Sequence, residues 1–288
     1  MLNRKARVLC LHGFAQNSRV LAAKLAQAER IFDSHVELVF VNAPNILLRP
    51  TMAYDNSPEE PYAPEDEPRS FWHMRSNDGF ESDDELDRTL YYLRDVLETH
   101  GTFDGILGFS QGAATAAILC ALVSRPWLHP AFSSPSARST GAAWPPLPFK
   151  FAILCSGYLP LDRRCESWFD TPVAIPALHV IGRSDVVAPN ERTLANVPRF
   201  TNSRVEWHEG GHFIPRKPYF AHLFKDFILS HTFPVVEPPL FPLFATSSGV
   251  TRGSSPFEHS RAADSPLPSE DPLMRSPVTV LALSPALH

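Results

Sequence analysis

Gly105-Ile106-Leu107-Gly108-Phe109-Ser110-Gln111-Gly112-Ala113 is the stretch from which the rest of the chain can be read. A short apolar run passes through Gly-Phe-Ser-Gln-Gly into Gln111 to about Val123, a segment of small residues that suits a helix. G-x-S-x-G at a strand-to-helix junction describes a sharp turn that lifts the serine hydroxyl above the sheet edge. Glycine is needed on both sides because a side chain there would collide with neighbouring backbone. The helix that follows aims its N-terminus at the serine, so the Gln111 amide and the local dipole favour an oxyanion formed at an attacked carbonyl. A Gly-Ser turn without chemistry satisfies the same letters, so the context has to carry the reading.

Working outward, the surroundings alternate between strand-like and helix-like segments. Arg7 to Leu11, Val36 to Val41, Phe151 to Cys155 and Ala177 to Ile181 are short apolar runs of the kind buried on both faces of a parallel sheet, and Ser203 to His208 reads as a last strand. Between them, Ser18 introduces a helix with Leu21, Leu25 and Ala28 on one side. Ser82-Asp83-Asp84-Glu85 has the form of a capping box ahead of Leu86, Leu90, Leu93 and Leu97, and Gly101 stops that helix. A final helix turns Tyr219, Leu223, Phe227 and Phe224 inward. The alternation predicts an α/β fold: a mostly parallel sheet with helices on both faces, over residues 1–233. Proline punctuates the rest. Pro44 to Phe80 is an insertion, 44–80, that either folds over the site as a lid or stays solvated, and Pro126 to Pro148 is a second Pro-rich loop. The Pro- and Ser-rich 234–288 keeps no period and is expected to be a disordered tail, unless Val235 to Phe244 packs back.

Composition narrows the function. The chain has 288 residues, 44% hydrophobic and 20% charged, enough to bury a core. Lys+Arg 26 against Asp+Glu 31 leaves −5, with no basic excess to attract nucleic acid or anionic lipid. No segment approaches the roughly 18 uninterrupted apolar residues of a membrane span. Four cysteines, two of them (Cys10 and Cys155) inside apolar runs, are too few for a disulfide framework. With no leader-like stretch at the N-terminus, a reducing, cytoplasmic setting is expected.

A serine hydroxyl is a weak nucleophile at neutral pH, so Ser110 needs a histidine base and a carboxylate to orient it, in the chain order Ser, acid, His. Asp185 follows the strand that ends in Ile181-Gly182 and is preferred over Asp162 and Asp170, neither of which directly follows a strand. His212, in Glu209-Gly210-Gly211-His212-Phe213, comes right after the last strand, where two glycines let the loop bend back. Leu11-His12-Gly13-Phe14 offers the second oxyanion donor, the Phe14 amide, beside that of Gln111; the same His-Gly also suits a plain tight turn. His208-Glu209-Gly210-Gly211-His212 happens to match the zinc pattern H-E-x-x-H. That pattern works only on a helix, and two glycines disfavour one by about 1 kcal/mol each, so no metal is expected.

Together these residues resemble the fungal serine hydrolase family, α/β-hydrolases related to the thioesterases of lovastatin-type pathways and to the human ovarian-cancer-associated hydrolase. The match runs from about Arg7 to Phe227. It rests on Leu11-His12-Gly13-Phe14 with Gln16-Asn17, Phe71-Trp72, Phe103-Asp104-Gly105 through Ala113, Ser156-Gly157-Tyr158, and Gly211-His212-Phe213-Ile214-Pro215. The resemblance implies an α/β-hydrolase fold, Ser110 as nucleophile, His212 as base and then acid, Asp185 as its orienter, and Phe14 and Gln111 as backbone oxyanion donors. It further implies ester or thioester hydrolysis without a cofactor, on a small-molecule acyl substrate or one carried by an acyl carrier protein of a polyketide synthase in secondary metabolism. The Pro126 to Pro148 loop and the tail depart from the pattern.

Met52, Tyr54, Tyr62, Phe71, Trp72 and Met74 of the insertion are candidates to line an acyl pocket, Trp72 among them. Tyr158 and Phe213, next to motif positions, are stronger ones. Two other readings stay open: a carboxylesterase of broad specificity, and an inactive scaffold of the same fold that binds a ligand or partner.

Overall fold

The computed structural model describes residues 4–47, 63–73, 83–133, 144, 147–160 and 163–233. In chain order the elements are β1 (Ala6–Leu11), α1 (Ser18–Phe32), β2 (Val36–Val41), β3 (Asn45–Ile46), β4 (Arg69–Ser70), α2 (Asp83–His100), β5 (Gly105–Phe109), α3 (Gln111–Ser124), α4 (Pro130–Ser133), β6 (Phe151–Cys155), α5 (Arg163–Trp168), β7 (Val173–Gly182), α6 (Asn190–Leu194), β8 (Phe200–His208) and α7 (Pro218–Thr232). Six strands form one sheet in the order β2-β1-β5-β6-β7-β8, and every pairing in it is parallel; β3 and β4 make a small antiparallel pair of their own.

Because successive side chains point to opposite faces, each central strand feeds two cores. Val8, Cys10, Leu107, Phe109, Ile153, Cys155, Leu178 and Val180 pack on one face with α1 and α7, while Leu9, Leu11, Ile106, Ala152, Leu154 and Ala177 face the side that holds α2 and α3. That double burial is why Val8 to Leu11 of β1, and all of β5 and β6, read as unbroken apolar runs. Helix α3 is buried from Gln111 to Val123, and its alanines at 113, 114, 116 and 117 are the side chains that allow so close an approach to the sheet.

Several boundaries follow local chemistry. Asn17 caps α1 by accepting the Val20 amide at 2.9 Å, and Gly101, at φ 78°, ends α2 in the left-handed conformation with its amide on the Leu97 carbonyl at 3.2 Å. β7 starts earlier than its apolar run suggests, at Val173, and admits Pro176 at a register shift where the missing amide is tolerated.

Two expectations change. Tyr219 is 57% exposed rather than inward, because the buried stripe of α7 runs Phe220, Leu223, Phe224, Phe227, Ile228, and Tyr219 stands one position ahead of it. Glu85, the acid of the expected capping box, is buried and accepts the His73 amide at 2.9 Å, with the His73 ring on its other oxygen; Ser82, the other half of that box, lies outside the described residues. Phe71 and Trp72 are fully buried core residues, so Trp72 does not line an open pocket. Both belong to the returning end of the insertion, which is tied down by Asn17 Nδ2 on the Glu65 and Glu67 carbonyls and by Gln111, whose Oε1 accepts the Phe71 amide and whose Nε2 donates to the Trp72 carbonyl. Met52, Tyr54, Tyr62, Met74, Asp162 and the tail from residue 234 lie outside the described residues.

Candidate active site

Register brings the strand ends level. Leu11 pairs with Gly108, Phe109 with Cys155, and Gly182 with His208, so the loops that follow β1, β5, β7 and β8 leave the same edge of the sheet. That C-terminal edge is where open parallel sheets present their sites. Asp170 precedes β7 and therefore lies at the opposite edge, near Arg125.

Ser110 sits at the tip of the turn between β5 and α3 with φ 53° and ψ −120°. A non-glycine residue held there costs of order 1–3 kcal/mol, and the surroundings enforce it. The Ser110 amide donates to the Cys155 carbonyl at 2.9 Å, and its carbonyl accepts the Ala113 and Ala114 amides at 2.9 and 3.0 Å. A Cβ on Gly108 would come within 2.4 Å of the Gly112 carbonyl oxygen, and one on Gly112 within 2.2 Å of the Leu11 oxygen. The two glycines of the motif are thus required by contact with backbone.

His212 bridges the other two residues. Its Nε2 lies 2.8 Å from Ser110 Oγ, and its Nδ1 lies 2.8 Å from Asp185 Oδ2. A carboxylate accepts only, so Nδ1 carries the proton and Nε2 is left to accept the serine hydroxyl. Two interlocked loops hold this geometry: the Arg183 amide donates to the His208 carbonyl and the Ser184 amide to the Gly210 carbonyl, at 2.9 and 3.0 Å. They meet so closely that a Cβ on Gly182 would fall 2.4 Å from the Gly211 oxygen. Asp185 Oδ1 accepts the Val187 and Ala188 amides at 3.0 and 2.8 Å. Burial opposes ionisation of Asp185, but the Ala188 amide, His212 and the nearby Ser156 hydroxyl outweigh it, so the carboxyl titrates below its ordinary value.

The loop after β1 closes the third side. A Cβ on Gly13 would lie 3.3 Å from Ser110 Cβ, so this loop runs directly beside the serine. Among the described residues, neither the Phe14 nor the Gln111 amide is committed to another hydrogen bond. His12, fully buried, accepts the Ala43 amide on Nε2 at 2.9 Å and donates from Nδ1 to the Gly13 carbonyl at 2.8 Å. Burial pushes its pKa down to about 4, which keeps this tautomer neutral. His12 was legible only as half of a His-Gly turn; its role depends on Ala43, far along the chain. Ser156 was legible as part of the Ser156-Gly157-Tyr158 stretch, but its left-handed backbone, φ 49° after β6, was not.

Tyr158 is buried with the Arg192 guanidinium 4.6 Å above its ring, and Phe213, 44% exposed, rests on the His208 ring at 4.9 Å. Phe14, Val186, Val187 and Phe213 are exposed apolar side chains, each at or beside a residue of the site. His208 ends β8 and His212 lies in the bend beyond it, so the H-E-x-x-H pair shares no helix face, and both His212 nitrogens are engaged with Ser110 and Asp185.

The "Serine hydrolase (FSH1)" family model matches residues 1–223. Among curated proteins, "Esterase OVCA2" of Danio rerio is 31% identical over 233 residues, covering 77% of this chain and 96% of that protein. The Mus musculus protein of the same name is 35% identical over 217 residues, covering 73% and 89%. Among solved structures, Zea mays acyl-protein thioesterase 2 superposes with a TM-score of 0.55 at 16% identity, covering 80% of this chain and 94% of that one, a likeness of α/β-hydrolase fold. With the family model spanning most of its length and relatives above 30% identity, the chain belongs to the FSH1 serine hydrolase family.

Proposed function

We propose that this serine hydrolase cleaves acyl esters or thioesters through an acyl-enzyme carried on Ser110, with His212 as general base and then acid, Asp185 as its orienting carboxylate, and the Phe14 and Gln111 amides as the oxyanion hole. The supporting observation is the pair of 2.8 Å contacts from His212 to Ser110 Oγ and Asp185 Oδ2. As Oγ bonds to the substrate carbonyl carbon, its proton passes to Nε2. The negative charge on the carbonyl oxygen is met by amides already in place, so no donor must reorganise. Collapse breaks the C–O or C–S bond while Nε2 returns its proton to the leaving alcohol or thiol. Water, deprotonated by the same nitrogen, attacks the acyl carbon; a second collapse restores Ser110 and frees a carboxylic acid.

Phe14, Val186, Val187 and Phe213, the exposed apolar side chains at the rim of the site, favour an apolar acyl group, with the buried Tyr158 as a further candidate contact. Within this class we favour a thioester released from an acyl carrier protein, a polyketide-type product of secondary metabolism, on the strength of the motif resemblance. A cytoplasmic site of action suits the four free and buried cysteines. The openness of the rim equally favours a broad carboxylesterase. A hydrolysis panel crossing acyl length with alcohol, coenzyme A and carrier-protein leaving groups separates the two: a sharp bias for carrier-bound thioesters supports the first, and uniform turnover of small esters the second. Labelling by a fluorophosphonate that disappears in Ser110→Ala tests the chemistry itself, and a folded wild-type protein that resists the probe is instead a binding scaffold.

A further inference from the structure

A cavity of about 270 Å³ lies between α1 and the loop that carries His212, lined by Lys24, Phe213, Ile214 and Arg216. It borders the site. The Lys24 ammonium is 5.7 Å from the centroid of the Phe109 ring, and the His212 ring is 5.1 Å from the same centroid. Among the described residues the lining contains two cations and no carboxylate, in a chain whose net charge is −5. Among the described residues, neither Lys24 nor Arg216 has an ion-pair or hydrogen-bond partner; Lys24 has only the face of Phe109. Arg216 and Lys217 also stand just ahead of α7, which has no acid in its first turn. A helix N-terminus favours negative charge by about 0.3–1 kcal/mol, so cations there add to the positive pole instead of offsetting it. Unpaired cations facing one cavity, beside an uncompensated helix end, are a disposition that a bound anion would stabilise.

We propose that this cavity binds an anionic oxyacid group of the substrate, phosphate or carboxylate, while the scissile carbonyl lies at Ser110. The proposal rests on the acyl-transfer reading and adds to it that the preferred substrate is charged. The anion has two possible sources, the leaving group (the phosphates of a phosphorylated thiol) or the far end of a dicarboxylic acyl chain.

Two matched pairs distinguish them. The first sets butyryl-coenzyme A against butyryl-N-acetylcysteamine; the second sets the mono-p-nitrophenyl ester of glutaric acid against its methyl-capped diester. We expect kcat/KM to favour the charged member of one pair by about tenfold at low salt, the preference to shrink as ionic strength rises, and the charged-to-neutral ratio to fall toward unity in Lys24→Gln/Arg216→Gln. Lys24→Arg should keep the ratio. A ratio near one in both pairs for the wild type, or a wild-type ratio in the double variant, overturns the proposal. A turnover-free measurement accompanies it: inorganic phosphate or glutarate should raise the Tm saturably in the wild type and much less in the double variant, and equal shifts overturn the proposal. A retained difference in that shift, with no substrate hydrolysed, leaves the cavity standing and sinks the acyl-transfer reading alone.

Discussion

His12 Nδ1 donates to the Gly13 carbonyl at 2.8 Å, and that carbonyl belongs to the same rigid peptide unit as the Phe14 amide. Fixing one end of the unit aims the other. The buried imidazole, held by the Ala43 amide on its far side, thereby sets where the proposed oxyanion donor points. His12→Ala should lower kcat by about 10–100-fold with KM changed much less, since a misaimed donor is missed mainly when the oxyanion forms. A loss confined to KM would refute this positioning role.

Acid should destabilise the protein before its carboxylates titrate. Burial lowers the pKa of His12 and His179 to about 4 from an ordinary 6.5. Between those values the unfolded chain binds protons that the folded one refuses, so stability rises with pH and falls on acidification from 6.5 toward 4. Each histidine contributes on the order of 3 kcal/mol to that fall if its shift is fully expressed. Urea midpoints at several pH values from 7 to 4.5 measure it, and a flat profile contradicts it. Asp185, whose pKa is lowered, adds loss with the same sign only below the ordinary aspartate range.

Asp185→Asn should keep the fold and reduce kcat by about 10³–10⁴, because an amide can present a donor to Nδ1 and favour the wrong imidazole tautomer. Fluorophosphonate labelling rate and near-UV circular dichroism, measured together, distinguish this from unfolding. Labelling at the wild-type rate would mean that Asp185 is not the orienting carboxylate.

Gln111 separates side-chain from main-chain roles. Its side chain holds the Phe71 amide and the Trp72 carbonyl, at 2.9 and 2.8 Å. Gln111→Ala strands two buried polar groups at about 1–3 kcal/mol each, yet keeps its own backbone amide at the helix start. A Tm several degrees lower, with kcat at permissive temperature reduced less than tenfold, is expected. An unchanged Tm would show that the insertion is held otherwise.

Gly112→Ala should be far more damaging than its single methyl suggests. The new Cβ would lie 2.2 and 2.4 Å from the Leu11 and His12 oxygens, which belong to β1 and its loop and have no flexible end to swing aside. A loss above about 3 kcal/mol or failure to accumulate soluble protein is expected, read by thermal unfolding. A variant of wild-type Tm would show that β1 can yield.

Much of the fold was legible in local patterns. The apolar runs of β1, β5 and β6, the small-residue helix α3 and the stop at Gly101 each follow from burial on two faces, close approach to the sheet or a left-handed turn. The failures were also local in origin. Tyr219 and Phe220 are adjacent aromatics, and choosing the wrong one rotates the inward face of α7 by about 100°. Trp72 lay in an insertion rich in proline and acid, where nothing nearby announced that Gln111 and Asn17 would pull its chain into the core.

By itself, the sequence singled out the residues to which the proposed chemistry is assigned. Ser110, Asp185 and His212 each follow a recognisable strand, and only loops at strand ends place such groups on one edge of a parallel sheet. Tertiary structure alone decided what holds and surrounds them: the His12 clamp on Gly13, the left-handed Ser156, the interlocked glycines at 182 and 211, and the cationic cavity of Lys24 and Arg216. Periodicity and motif spacing report the angle at which a residue leaves its own element. Partners contributed by other elements depend on register and loop path, which form only when the sheet does.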